Sequence, residues 1–182
     1  MKRLALVLSL LMATLFIAKE GYALDPENTL YIDLTYGRVV IEMYPKLAPK
    51  HVAQIKKLAR EHVYDGVVFH RVIAGFMAQT GDPTGTGSGG AGERLPAEFS
   101  NTPHVRGIVS MARTSDPNSA RSQFFIVLAD SPHLNGQYTV WGKVVSGMEF
   151  VDMIKKGAPG SGAVTNPDKM IKVTVAADEK KK

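Results

Sequence analysis

The amino-acid sequence predicts a domain dominated by β-strands, built as an antiparallel barrel or sandwich that carries two α-helices. Apolar and polar residues alternate in several short segments, and glycine, proline, asparagine and aspartate recur between these segments. Just two segments space their apolar residues in the helical pattern. The 182 residues contain no internal repeat and no linker long enough to divide them, so a single domain is expected after the leader.

The first 23 residues are predicted to be a signal peptide, followed by one domain over residues 24–182. Lys2 and Arg3 precede an uncharged, mostly apolar stretch over residues 4–18, and small residues stand at both positions favoured before cleavage after Ala23. At about 1.5 Å per residue, a helix over this stretch is shorter than a bilayer core of about 30 Å. We therefore expect a periplasmic or secreted protein, with an uncleaved membrane anchor as the alternative.

The domain begins with a predicted β-hairpin and a helix. Apolar residues alternate through residues 30–34, Tyr36-Gly37 supplies a turn, and residues 39–44 form the returning strand. In residues 48–62, "APKHVAQIKKLAREH", apolar residues recur every three or four positions and a proline stands near the first turn. This pattern predicts an amphipathic helix that packs against the sheet.

The remainder of the chain is predicted to be mostly strands. Residues 81–93 are rich in glycine and are expected to form a flexible surface loop, and the lysines at 180–182 a frayed tail. A brief second helix is predicted over residues 147–157. The predicted strands cover residues 67–73, 107–113, 123–129, 138–145 and 170–177.

Composition and charge exclude several classes of function. The net charge is +5, and removal of the three basic residues and one acidic residue of the leader leaves +3. A nucleic-acid-binding barrel needs a basic stripe with exposed aromatic residues, whereas the lysines here concentrate on one helix and the tail. The sequence has no cysteine, which excludes disulfides, thiol chemistry and a lipid-modified cleavage site.

Short motifs for cofactor, metal or nucleophile chemistry are also missing. Residues 85–90 spell G-x-G-x-x-G, but no helix pattern follows, so a dinucleotide site is not predicted. The five histidines show no spacing typical of metal ligands. Ser110 and Ser122 lie in apolar strands without the glycine-flanked turn of a nucleophilic serine. We therefore expect no cofactor and no metal.

One cation stands out in the segment "FHRVIAGFMAQTGD", residues 69–82. Arg71 falls within a predicted strand, where it would share a face with Phe69, and the closest carboxylates in the sequence are Asp65 and Asp82. One interpretation is that Arg71 reaches a distant carboxylate such as Glu98. The other is that the guanidinium is kept available for a ligand.

A second notable segment covers residues 107–144. It places Gln123 and Phe125 on one strand face, with Leu134 and Tyr138 on either side of a turn at Asn135-Gly136. By pattern alone, ordinary core packing is the favoured interpretation of the large apolar residues in both segments, Phe76, Met77, Phe125 and Leu134. A binding surface is the alternative.

Three stretches taken together resemble the cyclophilin family of peptidyl-prolyl cis–trans isomerases, in its bacterial exported form. They are residues 69–82, 107–126 and 134–149, they occur in the family's order, and the likeness extends from about Thr29 to the last strand. The resemblance implies a closed eight-stranded antiparallel β-barrel capped by two helices, with a substrate groove on the outer surface. It also implies proline-containing polypeptides as partners, a cofactor-free reaction, and a role in folding exported proteins.

The resemblance assigns roles to individual positions. Arg71, Phe76 and Gln79 match the family's catalytic residues. The main chain at Ala112 and Arg113 matches the edge that pairs with substrate. The substrate-binding positions implied in full are His70, Met77, Ala112, Arg113, Gln123, Phe125, Leu134 and Tyr138.

Departures from the family pattern affect what we expect of the groove and of cyclosporin binding. Arg113 replaces an asparagine, which matters little if the backbone alone is used, and Tyr138 replaces a histidine at the rim of the groove. His133 stands where a tryptophan binds cyclosporin, so weak cyclosporin binding is expected. A monomer is expected, and the alternative function is a non-catalytic peptide-binding or chaperone module on the same barrel.

Overall fold

The structure is a computed structural model that describes residues 23–179. The apolar stretch of the predicted signal peptide and the lysine tail lie outside the described residues. The two α-helices of the described residues are Pro49–Arg60 (α1) and Met148–Met153 (α2). The eight strands are Thr29–Leu34 (β1), Gly37–Met43 (β2), Arg71–Ile73 (β3), Met77–Thr80 (β4), Ile108–Met111 (β5), Phe124–Val127 (β6), Val140–Ser146 (β7) and Lys172–Val175 (β8).

All eight strands form one antiparallel sheet in the order β3-β4-β6-β5-β7-β2-β1-β8. The predicted first hairpin is confirmed, with Leu34 facing Gly37 across its turn. The helix predicted over residues 48–62 is confirmed as α1, and α2 occupies the first half of the second predicted helix. Within residues 23–179, no helix combines the length and apolar character needed to cross a membrane.

The strand ladder is open, which corrects the expectation of a closed barrel. The terminal strands β3 and β8 do not pair with each other, and an irregular segment over residues 157–171 lies between them. Its main chain bonds to the β3 side, for example from Val72 N–H to the Gly162 carbonyl at 2.8 Å and from Phe69 N–H to the Asp168 carbonyl at 2.8 Å. Glycines and prolines recur through this segment, so it cannot continue as a ninth regular strand.

The curled sheet buries apolar side chains on both of its faces. On β6, Phe124 and Ile126 belong to the interior cluster, while Phe125 and Val127 belong to a second cluster on the outer face. This follows from the two-residue period of a strand. The candidate site lies on the outer face, where the second cluster is only partly covered.

The prediction that Arg71 and Phe69 share one face of a strand is wrong. Phe69 and Val72 both lie in the interior cluster, whereas Ile73 packs on the outer cluster and Arg71 lines the outer pocket described below. Regular pairing with β4 starts only at Arg71, and the chain before it is not in a ladder strand. Phe69 therefore reaches the interior before the alternation of β3 begins.

The first turn of α1 is capped from a distant part of the chain. Glu98 accepts hydrogen bonds from the backbone N–H of Lys50 and of His51, at 3.1 and 3.2 Å, and lies 2.6 Å from Nδ1 of the buried His51 ring. Ala48, at the N-cap position, offers no side-chain oxygen of its own. Burial raises the pKa of Glu98, but the hydrogen bonds from His51 and Lys50 outweigh it and hold the pKa below its usual value.

We expect Glu98→Ala to lower the free energy of unfolding by about 2–3 kcal/mol, because it leaves helix donors and a buried imidazole without their acceptor. The measurement is urea denaturation followed by circular dichroism. Glu61→Ala is the matched control, since Glu61 is exposed at the other end of α1 and its carboxylate makes no bond among the described residues. Equal effects of the two substitutions would contradict the capping role.

Candidate active site

Three adjacent strands bring the central residues of the site together. Arg71 on β3 faces Gln79 on β4, and Gln79 in turn faces Phe125 on β6. Because directly opposed residues point to the same face of a sheet, all three side chains stand side by side on the outer surface. Residues up to 54 positions apart in the chain thus form one site.

A pocket of about 300 Å³ opens on this surface. Its apolar floor comes from Met77, Phe125 and Leu134, which are nearly fully buried. Phe76 forms part of its wall, with its ring 5.3 Å from that of His133. The complete lining is Arg71, Phe76, Met77, Gln79, Ala112, Arg113, Phe125, His133, Leu134 and Tyr138.

The Arg71 guanidinium is held by neutral acceptors. Its Nε donates to the Ser161 carbonyl at 3.1 Å, and its Nη1 donates to Gln79 Oε1 at 3.3 Å. No ion pair of Arg71 occurs within residues 23–179, and Glu98 is bound to α1, which excludes the distant-carboxylate interpretation. Since a guanidinium has five N–H donors, Arg71 keeps donors for a ligand in the pocket.

Gln79 is itself positioned by a chain of hydrogen bonds. Its Nε2 donates to Gln123 Oε1 at 2.9 Å, and Gln123 Nε2 donates to the carbonyls of Gly87 and Gly89 at 3.0 and 2.8 Å. The amide of each glutamine is thereby oriented, so that Gln79 presents its oxygen to Arg71. The glycine-rich segment is the far end of this chain.

The glycine-rich segment was predicted to be a flexible surface loop, but Asp82 holds it by hydrogen bonds. The buried Asp82 carboxylate accepts two bonds from Thr84, one from the Thr86 hydroxyl, and the N–H bonds of Gly87 and Gly89 at 2.7 and 3.0 Å. Burial raises the pKa of Asp82, yet these hydrogen bonds outweigh it and hold the pKa below its usual value. The segment is therefore an organised part of the site.

His70 is the one implied site residue that lines neither pocket on this surface. Its ring lies against Gly87, because a Cβ atom added to Gly87 would be only 3.1 Å from Cδ2 of His70. Both nitrogens of the His70 ring lack a hydrogen-bond partner among the described residues. Burial lowers the pKa of His70, with the charge of Arg71 acting in the same direction and that of Asp82 opposing it. The structure places His70 beneath the loop rather than in the pocket.

The wall opposite Arg71 is built from stacked side chains. Tyr138 contacts Phe125 edge to face at 5.6 Å, and the Arg113 guanidinium lies 4.7 Å above the Tyr138 ring. The replacement of asparagine by Arg113 matters little only if the backbone alone is used, and here the Arg113 side chain joins this wall. The buried His104 ring stacks on Phe125 at 6.3 Å and makes a 2.9 Å hydrogen bond with Ser110, which is fully buried and not available as a nucleophile.

A second, polar pocket of about 420 Å³ adjoins the first. The two pockets share Gln79, Ala112 and Arg113, and Gln123 lines the second pocket alone. Sequence reasoning missed most of its lining, because those residues lie in loops and their spacing does not show that the loops meet at one pocket. The lining is Gln79, Gly87, Ser88, Gly89, Arg94, Ala112, Arg113, Thr114, Ser119, Arg121 and Gln123.

Residues 23–179 contain no group of three or more histidine, aspartate or glutamate side chains placed to hold a metal ion. Arg71 and Gln79 present polar atoms at the edge of an apolar pocket on the outside of the sheet. Such a site suits a neutral, partly apolar segment of an extended chain.

Comparison with known sequences identifies the family. Residues 29–175 match the family described as "Cyclophilin type peptidyl-prolyl cis-trans isomerase/CLD". A probable peptidyl-prolyl cis-trans isomerase of Brucella suis is 55% identical over 196 aligned positions, which cover 97% of this chain and 100% of that protein. Peptidyl-prolyl cis-trans isomerase B of Bacillus subtilis is 48% identical over 123 positions, covering 66% of this chain and 85% of that protein.

Solved structures agree with the sequence comparison. A cyclophilin from Hirschia baltica has a TM-score of 0.78 at 30% identity, with coverage of 86% of this chain and 77% of its own. A cyclophilin-type isomerase of Cryptosporidium parvum, crystallised in the presence of the dipeptide Ala-Pro, has a TM-score of 0.74 at 31% identity, with coverage of 81% and 98%. The family match begins at the first residue of β1 and ends at the last residue of β8. The chain therefore belongs to the cyclophilin-type peptidyl-prolyl cis–trans isomerases.

Proposed function

We propose that the outer pocket accepts the proline ring of an extended polypeptide and that Arg71 assists rotation about the preceding peptide bond. The observation that carries this proposal is a guanidinium that lies at the edge of an apolar pocket and has no acidic partner among residues 23–179. The presence of Ala-Pro with the Cryptosporidium parvum relative supports the choice of ligand. The homologues and the family are peptidyl-prolyl cis–trans isomerases.

The reaction requires no bond to be made or broken. The barrier to rotation about an amide is about 18–20 kcal/mol, because the nitrogen lone pair is delocalised into the carbonyl group. The two isomers of X–Pro differ by only about 0.5–1 kcal/mol, and they interconvert in tens to hundreds of seconds without help. A catalyst therefore has to stabilise the twisted state more strongly than either planar state.

Arg71 is suited to the twisted state. When the bond is rotated, the imide nitrogen becomes pyramidal and its lone pair can accept a hydrogen bond that the planar amide cannot accept. A guanidinium is permanently charged and offers rigidly placed donors, so it can supply that bond. Gln79 and the Ser161 carbonyl hold the side chain in position for it.

The apolar lining makes a second contribution. Met77, Phe125 and Leu134 grip the proline ring and exclude water from the rotating bond. The planar amide is more charge-separated than the twisted one, so a less polar environment favours the twisted state. Since one hydrogen bond to a charged group contributes about 1.5–3 kcal/mol, Arg71 accounts for one to two powers of ten in rate, and the remainder comes from the pocket.

The basic leader and its apolar stretch support export, and we propose that the mature chain acts as a monomeric folding assistant outside the cytoplasm. Chemical sequencing of the N-terminus of the exported protein tests cleavage after Ala23. An intact leader on the exported protein would support the anchor alternative instead.

The catalytic proposal is tested with purified residues 24–182 and an Ala-Pro peptide. Two-dimensional exchange NMR should show cis–trans exchange that rises in proportion to enzyme concentration. Peptide binding without accelerated exchange would overturn catalysis and favour the non-catalytic binding module.

Cyclosporin inhibition should be weak, because His133 supplies a small ring in the pocket wall where the family pattern has tryptophan. We expect His133→Trp to lower the inhibition constant by at least about tenfold, since indole adds apolar area and one N–H donor. Inhibition is measured in the exchange assay, with uninhibited turnover of the variant as the control. Nanomolar inhibition of the unmodified protein would contradict the prediction.

A further inference from the structure

The polar pocket beside the proline site is lined by three arginines and by no carboxylate. Arg94 and Arg121 belong to it alone, and Arg113 lies on the wall that it shares with the first pocket. The remaining lining consists of neutral polar side chains, glycines and Ala112. A pocket with this lining carries a local positive charge that the small net charge of the whole chain does not suggest.

None of the three cations is neutralised within the part of the chain that the structure describes. Arg121 donates from Nε and Nη2 to the Gly92 carbonyl, at 3.0 and 2.9 Å. Arg113 donates to the carbonyls of Gln137, Thr114 and Ser115. Those acceptors are neutral, so they fix the guanidinium groups in place without removing their charge.

Arg94 is exposed and makes no hydrogen bond or ion pair among residues 23–179. Asp82 forms no ion pair with these arginines, because its carboxylate is buried under the glycine-rich segment and accepts five hydrogen bonds from neutral donors there. The pocket therefore offers one free guanidinium beside two that are already positioned. This combination favours an anionic group, since guanidinium and carboxylate pair with two parallel hydrogen bonds.

The location of the pocket determines where such an anion would lie on a substrate. The two pockets share Gln79, Ala112 and Arg113, so they adjoin, and an extended chain that fills the first can reach the second. An extended chain advances about 3.3 Å per residue, so the side chain that enters the second pocket belongs to a residue within two or three positions of the proline.

We propose that this arginine-lined pocket selects substrates that carry an aspartate or glutamate close to the X–Pro bond. The inference rests on the proposed function, because it assigns a substrate class to the same groove. Carboxylate binding here adds affinity before rotation begins, so the preference appears mainly in KM rather than in kcat. The preference also weakens with salt, since the pocket is open to solvent.

The test uses a set of Ala-Pro peptides in which one position, scanned through three residues on either side, is glutamate, glutamine or lysine. At one or two scanned positions we expect kcat/KM to be about three- to tenfold higher for glutamate than for glutamine, and lowest for lysine. The ratio should approach one in 1 M salt. Equal kcat/KM for all three residues at every position overturns the inference and leaves the isomerase function intact, whereas no turnover of any peptide contradicts the proposed function instead.

The double variant Arg94→Gln/Arg121→Gln should bring the glutamate-to-glutamine ratio close to one. Its matched control is Lys57→Gln/Lys143→Gln, which removes the same total charge from exposed positions that line neither pocket. We expect the control to retain the ratio of the unmodified protein. If both double variants lose the ratio equally, the preference arises from overall charge, and the assignment to this pocket is wrong.

Discussion

Arg71→Ala is expected to lower kcat/KM for an Ala-Pro peptide by about ten- to hundredfold while leaving the thermal unfolding midpoint nearly unchanged. The activity falls because the twisted imide nitrogen loses its charged donor. Stability is retained because the side chain is partly exposed and, within the part of the chain that the structure describes, bonds to Ser161 and Gln79 and not to a buried carboxylate. Exchange NMR gives the first quantity and calorimetry the second.

Two comparison variants make this result specific. Arg71→Lys keeps the positive charge but loses the planar fork of donors, so its activity should lie between those of the wild type and alanine. Arg60→Ala, on α1, removes an arginine that pairs with Asp178 and Glu27 away from the pocket, and it should retain full activity. Activity of Arg71→Ala within twofold of wild type would show that Arg71 is not a catalytic residue.

Asp82→Ala is expected to lower the free energy of unfolding by about 3 kcal/mol or more and to reduce activity as well. The substitution leaves the N–H groups of Thr84, Gly87 and Gly89 without their buried acceptor. Activity falls because the carbonyls that orient Gln123 lose their fixed position. Urea denaturation and the exchange assay measure the two effects.

Asp116→Ala is the matched control, because Asp116 is an exposed loop aspartate whose carboxylate accepts a single bond among the described residues, from Asn118 N–H. Its effect on stability should stay below about 1 kcal/mol, and activity should not change. An equally small effect of Asp82→Ala would contradict the organising role of that carboxylate.

The stabilisation by Asp82 should depend on pH in a defined direction. Its pKa is lower in the folded protein than the ordinary value of 3.8, so the folded state favours the charged carboxylate. The stabilisation is therefore fully present above about pH 4 and decreases as the pH falls through the folded pKa. The stability difference between wild type and Asp82→Ala should shrink in that acidic range and remain constant at neutral pH.

The sequence predicted those features that depend on local pattern. The alternation in β1 and β2 and the helical spacing in α1 are confirmed, because each follows from burial of one face of a regular element. The resemblance to cyclophilins is confirmed by the family match, and it supplied the adjacency of Arg71, Gln79 and Phe125, which periodicity alone does not predict.

Features that depend on contacts between distant loops were missed. The hydrogen bonds of Asp82 and the bond from Arg71 to the Ser161 carbonyl involve main-chain atoms. The positions of main-chain atoms cannot be inferred from which amino acids occur in the sequence. The open edge of the sheet and the burial of Phe69 likewise depend on how residues 157–171 cross the gap. Arg121 was overlooked because its role depends on the pocket around it.

The central claim is that Arg71 stabilises the twisted peptide bond and contributes little to binding of the planar one. NMR line shapes recorded over a titration with an Ala-Pro peptide separate the isomerisation rate on the enzyme from the dissociation constant. For Arg71→Ala, we predict an on-enzyme rate at least about tenfold lower, with dissociation constants for both isomers within about threefold of wild type. A dissociation constant that rises tenfold while the on-enzyme rate is unchanged would contradict the claim and make Arg71 a binding residue only.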